Sequence, residues 1–244
     1  MARALIVPAA GRGARLGADR PKALVPVNGR PMLSWIVELY RAYVGRGVIV
    51  ASPDGASALE QFAHALPIPC EVRVQERPTG MLDAILIGIA ALEDASPNRV
   101  WITWADQVAV HSQTVERLAA AEDDSMLAMP LVSRAHPYTH FDRDVEGRIR
   151  RVRLRREGHE MPPTGESDMG LFSLAREAAF RHLPLFAHEA VADAATRERN
   201  FLPFVPWIAA RGGVTTFPAT EEMEAVGINT PEELEAVAAY LRSR

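Results

Sequence analysis

Hydrophobic and polar positions follow two different periodicities along this chain, and the two alternate. Short apolar runs, typical of buried strands, occupy residues 4–7, 48–51, 71–75, 100–105, 126–132, 170–174 and 214–218. Segments with apolar residues on one helical face lie between them, at residues 31–43, 56–66, 81–92, 114–121, 175–183, 204–211 and 231–242. Strands that alternate with helices predict an α/β fold, a Rossmann-like three-layer sandwich with a mostly parallel central sheet.

The alternation breaks between residues 134 and 165, where short polar pieces replace it and Glu146-Gly147 predicts a hairpin turn. Six arginines fall between Arg148 and Arg156. They indicate either an exposed strand whose charges discourage edge-to-edge pairing or a ribbon that faces an anionic ligand or a partner. The sequence does not separate these alternatives. We predict a single domain over residues 1–244 with a small insertion around residues 134–165.

Composition permits a full core and argues against several classes of protein. Of the 244 residues 48% are hydrophobic, and the net charge of −4 argues against a protein that coats nucleic acid. The single cysteine, Cys70, excludes an internal disulfide, and zinc-type Cys/His spacing is absent. The first apolar run is too short for a signal peptide, and none is long enough to cross a bilayer. We therefore expect a cytoplasmic protein without a membrane partner, and its oligomeric state stays open.

The densest candidate chemistry lies in residues 9–22, directly after the first predicted strand. Gly11 and Gly13 let the backbone approach an anion closely. Positive charges follow in the same loop, at Arg12, Arg15, Arg20 and Lys22. A dinucleotide fingerprint would need a glycine where Leu16 stands, and a P-loop would need Gly-Lys-Ser/Thr. The remaining interpretations are a nucleotidyltransferase signature and a glycine-rich turn with solvated arginines.

Two glycines, an arginine, a spacer and Pro-Lys occur in that order, as Gly11, Gly13, Arg15, Pro21 and Lys22. In these residues the chain resembles the nucleoside-diphosphate-sugar pyrophosphorylases, a nucleotidyltransferase family, and in particular the N-acetylglucosamine-1-phosphate uridylyltransferase domain. The resemblance implies a nucleotide-diphospho-sugar transferase type of fold. It also implies that Ala10, Gly11 and Gly13 bind the nucleotide, while Arg15 and Lys22 act in catalysis.

Two further residues match the positions at which that family holds a metal ion. Asp106 follows the predicted strand 100–105, with Ala105 in place of the family's glycine, and Asn229 closes Gly227-Ile228-Asn229 before the last helix. The resemblance implies that Asp106 and Asn229 hold Mg²⁺, which needs few protein ligands when phosphates supply the rest. From the residues alone, each is equally an ordinary turn or loop residue.

Nucleobase and acceptor residues match less completely. Gln75 and Gly80 keep the family's spacing for reading a pyrimidine, although Met81 replaces a threonine, and Asp83 is a candidate to replace that polar contact. The resemblance also implies that Glu166, Asp168 and Gly170 bind the acceptor, with Asp168 in place of the family's asparagine. The family's second acidic sugar contact has no counterpart within residues 151–155. This departure predicts an acceptor other than N-acetylglucosamine 1-phosphate.

We therefore predict a nucleotidyltransferase that moves an NMP group from an NTP, UTP or CTP, to a phosphorylated acceptor such as a sugar 1-phosphate, releasing pyrophosphate. Alternatives within the class are a cytidylyltransferase for an alcohol phosphate and a molybdopterin-type guanylyltransferase. Outside it stand a nucleotide-cofactor oxidoreductase and a non-catalytic nucleotide-binding module. The sequence does not identify the acceptor.

Overall fold

The computed structural model describes residues 2–11, 13–194 and 196–244, with the backbone alone for Ala14. The strands are β1 (Arg3–Ala9), β2 (Pro26–Val27), β3 (Arg30–Pro31), β4 (Arg46–Ala51), β5 (Cys70–Val74), β6 (Arg99–Thr103), β7 (Leu127–Ala135), β8 (Thr139–Arg143), β9 (Ile149–Leu154), β10 (Thr164–Asp168), β11 (Leu171–Ala175) and β12 (Val214–Pro218). The α-helices are α1 (Met32–Tyr40), α2 (Pro53–Ala63), α3 (Met81–Ala90), α4 (Ser112–Ala121), α5 (Leu183–Glu189), α6 (Phe204–Ala209) and α7 (Pro231–Arg242). Within the described part of the chain, no helix is both long and apolar enough to cross a bilayer.

An eight-stranded sheet forms the centre, in the order β10-β7-β11-β6-β1-β4-β5, with β12 paired to β7. The neighbours β6, β1, β4 and β5 run parallel, and β12 runs parallel to β7. The strands β10 and β11 pair antiparallel with β7, and β11 pairs antiparallel with β6. The prediction of a mostly parallel sheet is therefore confirmed, with these two strands reversed.

Alternating side chains of the sheet enter two separate hydrophobic layers. Along β1, Leu5 and Val7 face the layer that includes buried residues of α1, α2, α4 and α7. Ala4 and Ile6 face the opposite layer, which includes buried residues of α3, α5, α6 and the β8–β9 hairpin. Helices thus cover both faces, which gives the predicted three layers. Because both faces are buried, the central strands form nearly continuous apolar runs.

The predicted insertion contains elements that hydrophobic periodicity does not reveal. The antiparallel hairpin of β8 and β9 turns at Gly147, whose φ of +79° suits glycine, as the Glu146-Gly147 signal predicts. Ile149, Val152 and Leu154 of β9 are buried in the second layer. Several of the arginines pair with carboxylates, namely Arg148 and Arg150 with Asp144, Arg153 with Asp142, and Arg156 with Glu198. These contacts favour a structural role for the basic strand.

Three of the helices differ from the prediction by three residues or more at one end or both. The helix predicted at 175–183 starts only after β11 ends at Ala175, includes a π-helical segment, Ala178–His182, and continues as α5 to Glu189. Pro184 lacks an amide donor, and the wider turn before it accommodates that loss, so the helix continues past the predicted end. The helix predicted at 56–66 occupies Pro53–Ala63 because Pro53 fits a first helical turn. The helix predicted at 31–43 is shorter, ending at Tyr40.

Candidate functional site

Parallel strands bring three of the predicted site residues to one edge of the sheet. Ala10 follows β1, Gln75 follows β5, and Asp106 lies three residues after β6. β1 runs parallel to β6, with Ile6 opposite Ile102, so the loops that carry Ala10 and Asp106 leave the sheet at the same edge. The carboxyl edge of parallel strands is where open α/β sheets bind ligands.

The loop after β1 folds against Lys22. The Lys22 amide donates to the Gly11 carbonyl at 3.3 Å, which closes the loop. Gly13 has φ +66°, and a Cβ there would lie 3.3 Å from the Lys22 Cβ. A side chain at residue 13 would therefore be strained and crowded at once. Arg15 lies exposed on the following single turn, whereas Arg12 lies outside the described residues.

The Lys22 ammonium joins the two predicted metal ligands. Its Nζ donates to Asp106 Oδ2 at 2.5 Å and to Asn229 Oδ1 at 2.8 Å. Asp106 and Asn229 are 84 and 207 positions away from Lys22 in sequence. Their oxygens thus converge on a single cationic atom, although each side chain comes from a different loop.

Local hydrogen bonds explain the position of Asn229. A capping box begins α7, with the Glu233 amide donating to Thr230 Oγ1 and the Glu233 carboxylate accepting from the amides of Thr230 and Asn229. Asn229 Nδ2 donates to the Gly227 carbonyl at 3.0 Å, which directs Oδ1 toward Lys22. A Cβ at Gly227 would lie 3.2 Å from the Asp106 carboxyl, so this close approach needs a small residue.

Oxygen atoms that converge on one cation have the chemistry of a magnesium site. A carboxylate and an amide carbonyl are ligands that Mg²⁺ accepts, and phosphates and water complete its shell. Among residues 2–11, 13–194 and 196–244, no group of three or more His, Cys, Asp or Glu residues is placed to hold a metal ion. The Asp106–Asn229 pair fits a metal that arrives together with a phosphate ligand.

Gln75 fixes the turn formed by residues 75–80. The side chain is buried, and its Nε2 donates to the Gly80 carbonyl at 3.0 Å and to Thr79 Oγ1 at 3.3 Å. The amide oxygen is therefore the group left to accept from a ligand. The structure brings Gln75 and Gly80 together as their spacing predicts.

Asp83, the candidate to replace the missing threonine contact, is not left free for a ligand in this structure. Its carboxylate pairs instead with the guanidinium of Arg199, 116 residues away. Sequence reasoning missed Arg199 because nothing near it in the chain signals this partner.

The acceptor candidates separate into two groups. Asp168 and Gly170 lie near the end of β6, because Asp168 Oδ2 accepts from the Gly170 amide, and the carbonyl of Gly170, at φ +68°, accepts from the Trp104 amide. A Cβ at Gly170 would overlap the Trp104 ring. Glu166, by contrast, pairs with Arg143 at 2.6 Å, whose guanidinium also contacts Thr216 of β12. In the contacts of the described residues, Glu166 is not joined to the Lys22 cluster.

Both oxygens of Asp168 already accept hydrogen bonds. Thr139 Oγ1 donates to Oδ1 at 2.7 Å, and the Gly170 amide donates to Oδ2 at 3.1 Å. Burial raises the pKa of the Asp168 carboxyl, and these hydrogen bonds oppose the rise. The carboxyl therefore braces the end of β10.

Known proteins resemble this chain in sequence. Residues 5–163 match the family described as the MobA-like NTP transferase domain. The bifunctional protein GlmU of Thermodesulfovibrio yellowstonii is 25% identical over 248 residues, covering 98% of this chain and 52% of that protein. The bifunctional protein GlmU of Mycolicibacterium paratuberculosis is 31% identical over 153 residues, covering 61% and 30% respectively. The chain thus spans about half the length of the first of these curated relatives.

A solved structure agrees in fold. HddC from Yersinia pseudotuberculosis, in a crystal structure described as complexed with GMP-PN, superposes with a TM-score of 0.68 at 18% identity. The match covers 99% of this chain and 100% of that chain. At this identity the likeness concerns the fold.

Proposed function

Because this chain belongs to the family of MobA-like NTP transferase domains, we propose that it transfers an NMP group from an NTP to a phosphorylated acceptor and releases pyrophosphate. The observation that carries the proposal is the convergence of Lys22, Asp106 and Asn229 beside the glycine loop. A lysine together with oxygens able to bind a metal, all beside the loop that follows β1, is what a bound triphosphate requires. A non-catalytic module would need the phosphate loop but not these oxygens.

In this reaction the glycine loop holds the triphosphate. Backbone amides around Gly11 and Gly13 face the phosphates, and Lys22 orients phosphate oxygens for in-line attack. Arg15, exposed beside the loop, stabilises the charge that develops on departing pyrophosphate.

Asp106 and Asn229 are the residues that would hold Mg²⁺. When bound there, the ion neutralises charge on the phosphates. Lys22 lies within reach of both oxygens, so its ammonium turns from them to the phosphates when the nucleotide complex forms.

The acceptor supplies its own nucleophile. A phosphomonoester has a second pKa of about 6, so it is largely ionised at neutral pH and requires no general base. We propose a sugar 1-phosphate as acceptor, with Asp168 and Gly170 beside it. Glu166 is a weaker candidate because Arg143 engages it. The missing second acid within residues 151–155 favours a sugar other than N-acetylglucosamine.

The base we propose is a pyrimidine. With Nε2 of Gln75 engaged by Gly80, its Oε1 accepts from the base edge.

We propose one nucleotidyltransferase domain for residues 1–244, with the acceptor-side insertion at 134–165. The substrates are cytoplasmic metabolites, and we propose that location.

One experiment tests the function. Pyrophosphate release is measured with each of the four NTPs and a panel of sugar 1-phosphates and alcohol phosphates, with Mg²⁺ and with EDTA. We expect release that needs both substrates and the metal, with UTP or CTP preferred. No release from any combination would overturn the proposed function.

Guanylyl transfer is the second candidate. It is favoured by the match to a MobA-like family and by the fold shared with HddC, whose crystal structure is described as a complex with GMP-PN. A preference for GTP in the same panel would select it and remove the assigned role of Gln75.

A further inference from the structure

Arg199 forms a clamp on the turn that contains Gln75 and Gly80. Its amide donates to the Thr79 carbonyl at 2.8 Å, and its own carbonyl accepts from the Leu82 amide at 3.1 Å. Its guanidinium binds both oxygens of Asp83 and donates to the Ala187 carbonyl at 2.7 Å. One residue therefore holds the turn, the first turn of α3 and the end of α5.

The conformation of Gly80 depends on this contact. Gly80 has φ +112°, and a Cβ there would overlap the backbone N and O of Arg199. The backbone of Arg199 thus occupies the space beside Gly80. The Gly80 carbonyl is, in turn, the acceptor that orients the Gln75 amide. A continuous chain of contacts runs from Arg199 through Gly80 to the group that would read the base.

Neighbouring residues fasten the segment to the insertion. Glu198 pairs with Arg156 at 2.9 Å, and Asn200 Nδ2 donates to Glu157 at 3.3 Å. Arg156 and Glu157 form the turn directly after β9. The segment is therefore anchored on both sides, which allows Arg199 to act as a fixed support.

We propose that Arg199, through its pair with Asp83, is a positioning residue that sets the nucleobase selectivity of the site. This rests on the proposed function. Arg199 acts on Gln75 through Gly80 and Thr79, and it does not itself bind the base. A fixed Gln75 amide is left without a hydrogen-bond partner when a wrong base binds, and this cost rejects that base. When the clamp is loosened, the amide can rotate to pair with a wrong base, so the selectivity falls.

The test uses Arg199→Gln and Asp83→Asn, with Arg181→Gln as the matched control, because Arg181 pairs with Glu177 on an exposed helical surface. For both clamp variants we expect KM for the preferred NTP to rise roughly tenfold, kcat to stay within about twofold, and the ratio of kcat/KM between the best and worst bases to narrow. The double variant should be no worse than either single variant. Arg199→Lys should restore part of the selectivity, since it keeps the charge but not the fork geometry.

Hydrogen exchange provides a measurement that does not need activity. In the nucleotide-free protein, the amide of Leu82 should exchange faster in both clamp variants than in wild type. Its exchange rate in Arg181→Gln should equal that of wild type. Unchanged KM and selectivity with faster exchange would reduce Arg199 to a structural residue, and a loss of kcat alone would also overturn the proposal. If Arg199→Gln does not fold, Asp83→Asn decides, because it keeps the Arg199 guanidinium and its bond to the Ala187 carbonyl. If the wild type shows no transferase activity but the Leu82 amide still exchanges faster in the clamp variants, the proposed function is wrong and the structural role of the clamp remains.

Discussion

Two carboxylates with basic partners lie at opposite ends of β6, and they differ in how they are satisfied. Glu122 is fully buried, near the start of the strand, and accepts from Arg3 at 2.5 Å, Trp101 Nε1 at 2.9 Å and Ser173 Oγ at 2.6 Å. Asp106 lies past the strand's end, with its side chain 18% exposed, and receives Lys22 from the glycine loop.

This difference indicates which of the two carboxylates, Glu122 or Asp106, can exchange its hydrogen-bond partners. The donors to Glu122 lie on or beside three paired strands, β1, β6 and β11, and cannot move without breaking the sheet. Lys22 is a long side chain on a loop, so it can leave Asp106 when another cation and a phosphate arrive. Similar charges thus serve the fold near one end of β6 and form the proposed ligand site past the other end.

The largest expected effect is a loss of stability when the buried cluster around Glu122 is broken. Glu122→Ala leaves Arg3 without its carboxylate and Trp101 and Ser173 without their acceptor, so we expect a loss of about 3–5 kcal/mol in the free energy of unfolding. Chemical denaturation measures this loss. The folded fraction should keep kcat within a few-fold of wild type, and a selective loss of kcat would contradict the comparison.

Asp106→Asn is expected to show the reverse behaviour. Turnover should fall by roughly 100-fold or more, because the charge that holds the metal is lost, while the melting temperature stays nearly unchanged. Pyrophosphate release and thermal unfolding are measured on the same preparation. Activity within a few-fold of wild type would remove Asp106 from the mechanism.

A smaller effect should separate nucleotide binding from catalysis at Arg15, on the turn beside the glycine loop. Arg15 is expected to act mainly in the transition state, so Arg15→Ala should lower kcat by more than it raises KM for the triphosphate. Steady-state kinetics with varied NTP give both values. An increase in KM alone would make Arg15 a binding residue, and Arg41→Ala, an exposed arginine on another surface, serves as the control.

The smallest effect concerns pH and Asp168. Its raised pKa means that the folded state binds this proton more tightly than the unfolded state. The contribution to stability is therefore present at low pH and is lost as pH rises from about 4, the ordinary Asp value, through the raised native pKa. Urea denaturation of wild type and Asp168→Asn across this pH range should show wild type losing stability relative to the variant. If the free energy of unfolding of wild type relative to Asp168→Asn stayed constant or rose with pH, the effect assigned to burial of Asp168 would be contradicted.

The elements that the sequence predicted well are those with a local cause. The apolar runs of β1 and β6 must be buried on both faces, and the Thr230-Pro231-Glu233 signal satisfies the first amides of α7 through its own side chains. Asp106 and Asn229 were named as site residues through the resemblance, and the structure brings both side chains to Lys22 beside the glycine loop. Hydrophobic periodicity gave no comparable signal for β8 in the hairpin or for β10 at the edge of the central sheet, because both strands are largely polar.

Tertiary structure alone decided contacts between distant segments. The reversal of β11, the pairing of Glu166 with Arg143 and the clamp of Arg199 on the 75–80 turn depend on which surfaces remain available after the sheet has formed. The sequence offers Asp83 as a ligand contact, yet a guanidinium 116 residues away gives its carboxylate a stronger, partly desolvated partner. The local sequence determines which kinds of group a residue can bind, whereas the packing of the folded chain determines which of those groups lies next to it.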